Sequence, residues 1–291
     1  MIWISDEWKD YEILDATAGE RLERWGKYIL VRPDPQVIWE TPRTASEWKK
    51  WDARYVRSST GGGHWTDHKL PERWQIRYKD YLTFNVKPMN FKHTGVFPEQ
   101  AANWDFIREK CANAGRPIRV LNMFAYSGGA TLAAAAGGAE VWHVDASKGM
   151  VAWAKENAQS SGLADRPIHW IVDDCAKFIQ REIRRGRRYD GIIMDPPSYG
   201  RGPSGEIWKF ETSFYPFLLE TVKLLSDDPL FVIINSYTTG LAPSAVGYAS
   251  DVVFGGAYGG ITQVGELGLK VRDSGFTLPC GNTGRWTPDG R

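Results

Sequence analysis

Four consecutive residues, Asp195, Pro196, Pro197 and Ser198, followed by Tyr199, have the clearest chemical potential in the chain. They leave a short apolar run at 191–194 that reads as a β-strand. Proline lacks an N–H donor and fixes its own φ, so two in succession make a rigid, extended strand exit. The Pro196 carbonyl and the Asp195 carboxylate could accept hydrogen bonds from an amine there and aim its nitrogen lone pair. Tyr199 could stack on an unpaired base, an effect worth roughly 1–3 kcal/mol. A plain strand terminator and an aromatic ring packed under its own loop are the competing readings.

Other strand exits carry matching chemistry. Phe124, Ala125, Tyr126, Ser127, Gly128 and Gly129 follow an apolar run, and the glycines permit close backbone approach to a ligand before a helix opens. Asp145 stands 17 positions beyond Gly128, at the end of the next strand. A carboxylate there can accept from both hydroxyls of a ribose, or simply cap the following helix. Asp173 and Asp174 end a third strand and could accept from an adenine amine, with helix capping again the alternative. In an open parallel sheet a ligand lies beyond the carboxyl ends of the strands, where strand order reverses.

These exits need a sheet to align them. Apolar runs at 119–124, 140–144, 168–172, 191–194 and 230–235 alternate with helical patterns at 130–136, around Trp153 and Ala158, and at 175–185. The tail holds runs at 267–271 and 276–278 around an Asp273-Ser274-Gly275 turn, which reads as an antiparallel hairpin closing the edge. The pattern predicts an α/β fold with a doubly wound, mostly parallel, seven-stranded sheet. Earlier residues have a different grammar. Short alternating runs at 11–14, 28–31, 73–78 and 81–86 are punctuated by Gly19, Gly26, Pro33, Pro35, Pro42 and a Gly61-Gly62-Gly63 loop. The expected division is a small β-rich domain at 1–88 and an α/β domain at 89–291.

A hydrophobic content of 42% over 291 residues supports a substantial core. The net charge of +1 gives no global attraction to polyanions, so such a partner needs a local patch. No apolar run reaches the roughly 18 residues of a membrane span, and residues 1–11 lack a basic-then-apolar leader, which leads to a cytoplasmic expectation without membrane contact. Cys111, Cys175 and Cys280 are widely spaced, which fits reduced thiols better than disulfides or a metal site. Arg181, Arg184, Arg185, Arg187 and Arg188 read as a solvated helix end pointing away from the strand exits. Arg201 and Lys209 are better placed for substrate phosphates.

The constellation resembles the bacterial 23S ribosomal RNA methyltransferases that act on cytosine C5 or guanine N7. The likeness runs from residue 91 to the C-terminus. Lys92-His93-Thr94-Gly95-Val96-Phe97-Pro98-Glu99-Gln100, residues 120–129, Val144-Asp145-Ala146-Ser147-Lys148, Trp153-Ala154-Lys155-Glu156-Asn157 and Met194-Asp195-Pro196-Pro197-Ser198 carry it. It implies a class I fold using S-adenosyl-L-methionine, with structured RNA as the partner. By that resemblance Asn122 and residues 124–129 pass the cofactor's methionine end. Asp145, with Ala146 and Ser147, holds the ribose. Asp174, between Asp173 and Cys175, takes the adenine amine, and Thr94, Phe97, Glu99 and Gln100 cover the cofactor from outside the sheet. Asp195, Pro196, Pro197, Ser198 and Tyr199 then face the acceptor. Family members usually carry an RNA-binding domain ahead of the catalytic one, so residues 1–88 would serve substrate recognition or act as a lid.

Cytosine C5 is a poor nucleophile and needs a cysteine to add to the ring first. C5-directed relatives place that cysteine after the fifth strand or in the fourth-strand motif. Here those exits read Asn235-Ser236-Tyr237-Thr238-Thr239 and Pro197-Ser198, without a thiol, so a nitrogen acceptor is expected. His93 could serve as a base, or be a hydrogen-bonded structural histidine. The alternatives are a methyltransferase for protein or small molecules, an NAD-dependent dehydrogenase, and a non-catalytic cofactor-binding module. Against the dehydrogenase, a full G-x-G-x-x-G is missing.

Overall fold

The computed structural model describes residues 1–59, 61–66, 69–201 and 207–289. They fall into two compact units: Met1–Trp3 with Asn103–Glu266 and Gly281–Arg291, and Ile4–Ala102 with Leu267–Cys280.

The larger unit is built on a mostly parallel sheet. Its strands run in the order Ile2–Ile4, Ile261–Lys270, Thr277–Thr287, Phe231–Ser236, Gly191–Met194, Arg119–Met123, Glu140–Asp145 and Ile168–Val172. Arg119–Met123 pairs in parallel with both Glu140–Asp145 and Gly191–Met194, and Gly191–Met194 pairs in parallel with Phe231–Ser236. Strand order therefore reverses beside Arg119–Met123, which opens the ligand-binding crevice of a doubly wound sheet at its carboxyl end. Thr277–Thr287 runs antiparallel to Phe231–Ser236. The expected seven strands are present, and Ile2–Ile4 adds an eighth at the edge.

Burial explains why these runs are strands. All of Gly191–Met194 and Phe231–Ser236 is buried, as a parallel sheet covered on both faces requires. On one face Leu121, Met123, Val144, Ile192, Met194, Val232 and Ile234 pack against Phe178, Ile179, Phe214 and Leu218. Helix Gly129–Ala136 buries Thr131, Leu132, Ala133, Ala134 and Ala135, and Gly128 at its N-cap has φ +92°. Helix Lys148–Ser160 is capped by the Ser147 side chain, and Cys175–Arg184 by that of Asp174. A further helix, Phe210–Thr221, contains Pro216, a residue that masks helical character in sequence.

The second unit has a five-stranded sheet in the order Tyr11–Thr17, Glu20–Trp25, Tyr28–Pro33, Ala53–Arg57 and Gly63–Thr66, and a separate pair, Trp74–Tyr78 and Leu82–Val86. Glu20–Trp25 is an unexpected strand, because its inward positions hold charges. Glu23 is fully buried, and Arg32 grips it with Nε 2.5 Å from Oε2 and Nη2 2.6 Å from Oε1. The Tyr11 hydroxyl donates to Oε1 at 2.7 Å, and Arg21 approaches Glu23 and Asp34 at 3.4 Å each. Burial alone would raise the Glu23 pKa. The two guanidiniums outweigh that and hold it at about 2.

Removing one partner of a buried ion pair strands the other, at a cost of about 3–5 kcal/mol. Glu23→Gln should therefore lower stability in urea by about that amount. Because Glu23 titrates below its ordinary value of 4.5, its contribution is complete above that pH and is lost as pH falls toward about 2. Acid unfolding of the wild type between those values should accordingly be steeper than that of the variant.

Candidate active site

At the exit of Arg119–Met123 the backbone takes an unusual path. Phe124 and Tyr126 have φ of +54° and +50°, values that side-chain-bearing residues rarely adopt. Both are tied down at their amides. The Phe124 N–H donates to Cys175 Sγ at 3.3 Å, and the Tyr126 N–H donates to Asp145 Oδ2 at 2.8 Å. The Ala125 N–H donates to the Val144 carbonyl at 3.1 Å. A fourth anchor lies on helix Lys148–Ser160, where buried Asn157 donates from Nδ2 to the Ser127 carbonyl at 2.9 Å. A Cβ on Gly128 would stand 2.9 Å from Ala154 Cβ, and one on Gly129 2.5 Å from the Trp104 ring. Glycine is thus required twice, for conformation and for space.

Asp145 is half-buried, and its other oxygen, Oδ1, accepts the Ser147 N–H at 2.8 Å. Burial raises its pKa, against the lowering effect of the Ser147 and Tyr126 amides. Each oxygen takes one of these N–H groups and retains acceptor capacity for another donor. Ala146 and Ser147 are exposed beside it.

Asp174 caps its helix through a 2.9 Å bond from the Lys177 N–H to Oδ1. Capping and ligand contact are compatible, since a carboxylate accepts several donors. Asp173 accepts the Asp174 N–H at 2.9 Å and is paired with Arg181. That pairing corrects the placement of the basic run. Arg181 sits two turns into the helix, and helical side chains lean toward the N-terminus, so it reaches back to the strand exit. Arg185 and Arg187 do lie at the far end, both against the buried Glu182.

The Asp195-Pro196-Pro197-Ser198 exit is held from two sides. Trp208 Nε1 donates to the Pro197 carbonyl at 2.6 Å, and Thr238 Oγ1 donates to Ser198 Oγ at 2.9 Å. Asp195 is half-buried, Pro196 buried, and Pro197 and Ser198 exposed. Tyr199–Arg201 and Ile207–Lys209 form a β-ribbon in which Tyr199 pairs with Lys209 and Gly200 with Trp208. Tyr199 is 52% exposed and so is not packed beneath the ribbon. The Arg201 side chain lies outside the described residues.

Asn122 is buried with its side chain engaged. Its Nδ2 donates to Thr131 Oγ1, which also meets His143 Nδ1, both at 2.9 Å. Thr94, Phe97, Glu99 and Gln100 belong to the other compact unit, where Glu99 and Gln100 lie in the turn Pro98–Gln100. Thr94, Glu99 and Gln100 are buried, and Phe97 is half-buried. In that unit burial, then Arg32 and Lys92, lower the His93 pKa to about 3, which leaves it neutral and a weak base at pH 7. Among the described residues there is no group of three or more His, Cys, Asp or Glu able to hold a metal, and no helix is long and apolar enough to cross a membrane.

Sequence reading missed Asn157, Arg181, Trp208 and Thr238 as parts of the site. Asn157 lay inside a recognised stretch without an assigned role. Trp208 and Thr238 act through contacts 11 and 40 residues away in the chain, which no local pattern reports.

All three thiols are held in the protonated form by burial, which pushes Cys111 to about 12 and raises Cys175 and Cys280 as well. Cys175 serves as an acceptor for the Phe124 amide.

A family model described as S-adenosylmethionine-dependent methyltransferase matches residues 32–212. The "Ribosomal RNA large subunit methyltransferase K/L" of Shewanella baltica is 32% identical over 155 residues, covering 53% of this chain and 21% of that protein. The "Ribosomal RNA large subunit methyltransferase K" of Neisseria meningitidis is 34% identical over 156 residues, covering 53% of this chain and 43% of that protein. The chain thus spans well under half of the K/L relative's length. A crystal structure titled as the SAM-dependent methyltransferase from Agrobacterium tumefaciens superposes with a TM-score of 0.93 at 37% identity, covering 99% of this chain and 93% of that one.

Asn157→Leu should leave the Ser127 carbonyl without this donor inside the protein, at a cost of about 1–3 kcal/mol in urea unfolding. Hydrogen exchange at residues 124–129 should rise with it. Unchanged exchange there would show that Asn157 does not hold the turn.

Proposed function

Because the chain belongs to the family of S-adenosylmethionine-dependent methyltransferases, we propose that it methylates a base nitrogen in structured, ribosomal RNA. Bound S-adenosylmethionine supplies an electrophilic methyl group on a sulfonium. The residues at the strand exits suit it: a turn free of side-chain bulk at Gly128 and Gly129, and a carboxylate with spare acceptor capacity at Asp145. Asp145, flanked by Ala146 and Ser147, would accept from the ribose hydroxyls, and Asp174, beside Asp173 and Cys175, from the adenine amine. The backbone at 124–129, with Asn122 beneath it, would pass the methionine end.

The acceptor side follows from the proline exit. Asp195 and the Pro196 carbonyl would accept hydrogen bonds from the acceptor nitrogen, and Pro197 and Ser198 would keep that exit rigid. The exposed Tyr199 ring would stack on the base. An amine nitrogen held in this way would take the methyl group and give up one N–H proton to solvent. The protein contributes positioning and electrostatics to this displacement. The observation that supports the nitrogen assignment is that Cys111 and Cys175 are buried, Cys175 Sγ already accepts the Phe124 amide, and the half-buried Cys280 donates to the Leu278 carbonyl. Residues 1–88 would select the RNA, Lys209 would meet its phosphates, and the compartment would be the cytoplasm. The printed names of the K and K/L relatives support the ribosomal reading.

Asp145→Ala should weaken S-adenosylmethionine binding by about 1.5–3 kcal/mol in calorimetry, through loss of charge-assisted hydrogen bonds. Unchanged affinity would remove Asp145 from the ribose site. Replacing Cys111, Cys175 and Cys280 together by serine should leave measurable turnover in folded protein, whereas Asp195→Ala should depress kcat far more than cofactor affinity. Abolished activity in the folded serine variant would return C5 chemistry to consideration. Labelled methyl from S-adenosylmethionine should enter RNA when RNA, protein and small-molecule fractions of cells lacking the enzyme are offered. Label confined to protein or small molecules would contradict the RNA assignment.

A further inference from the structure

Trp208 touches both halves of the proposed site. Its Nε1 donates to the Pro197 carbonyl at 2.6 Å, a short N–H···O contact. Its ring meets Phe124 at 5.6 Å between centroids and Phe217 at 5.4 Å, and Phe124 meets Phe217 at 5.6 Å. These three aromatic residues come from the turn after the first parallel strand, the β-ribbon and helix Phe210–Thr221. Phe124 carries one of the left-handed φ values, so the cluster packs on the most constrained point of the cofactor turn. Trp208 and Phe217 also wall a groove of about 720 Å³ bordered by Asp174 and Lys177.

These contacts separate by chemistry. The indole N–H addresses only the acceptor exit, whereas the ring addresses the turn and the groove. We propose that Trp208 is a positioning residue for methyl transfer, registering the Asp195-Pro196-Pro197-Ser198 exit against the cofactor turn through its indole N–H. This rests on the reading that those four residues face the acceptor.

The test compares Trp208→Phe, which keeps an aromatic ring and deletes the N–H, with Trp208→Ala, which deletes both. S-adenosylmethionine affinity is measured by calorimetry, and kcat and KM by release of S-adenosylhomocysteine with the acceptor fraction that the unmodified enzyme labels. Trp208→Phe should hold S-adenosylmethionine affinity and acceptor KM within about twofold while kcat falls on the order of ten- to a hundredfold, the size expected of a small misplacement. Trp208→Ala should lose S-adenosylmethionine affinity as well. An unchanged kcat in Trp208→Phe overturns the proposal. So does a fall in kcat matched by equal losses of cofactor affinity and thermal stability, which would mark the indole as general packing. Since the acceptor is whichever fraction the wild type labels, failure of the RNA reading would not be mistaken for failure of this one.

Discussion

Two left-handed residues in succession but one, Phe124 and Tyr126, set the constraint on which the site depends. Each such conformation costs on the order of 1–3 kcal/mol and persists only where the surroundings over-determine it. Here the surroundings are the other strand exits. Cys175 takes the Phe124 amide, Asp145 the Tyr126 amide, and Asn157 supports the Ser127 carbonyl. The turn is therefore shaped by groups from the exit of Glu140–Asp145, from helix Lys148–Ser160 and from the first residue of helix Cys175–Arg184. None of these can move without disturbing the rest.

That arrangement gives Asp145 two tasks. It holds the turn through Oδ2 and the following helix's approach through Oδ1, and each oxygen keeps acceptor capacity for a further donor. In the proposed ribose role, the carboxylate would be oriented before its ligand arrives. Asp174 shows the same economy, capping its helix while standing at a strand exit. The acceptor exit is braced separately by Trp208 and Thr238. The turn at 124–129 and the proline exit are thus built on different supports that meet at the Phe124–Trp208–Phe217 cluster.

The parallel sheet was legible in the sequence because its strands are mostly apolar, and each strand exit carried a recognisable polar residue. What escaped notice has physical reasons. Glu20–Trp25 hides as a strand because Arg21 and Glu23 point inward, and only the neutralising partners Arg32 and Asp34 make that tolerable. Helix Phe210–Thr221 is obscured by Pro216. Arg181 was grouped with a distant basic run because spacing along the chain does not report the reach of an arginine side chain back to Asp173. Asp174 read equally as cap or ligand, and its geometry permits both. Membership in the methyltransferase family sets aside the dehydrogenase that the glycine turn and Asp145 also allowed.

The central claim is transfer of a methyl group to a base nitrogen of ribosomal RNA. It is tested most directly by mass spectrometry of nucleosides from ribosomal RNA of matched cells with and without the enzyme. The account predicts one N-methylated nucleoside present in the first and missing from the second. Identical nucleoside sets, or a difference confined to 5-methylcytidine, would contradict it.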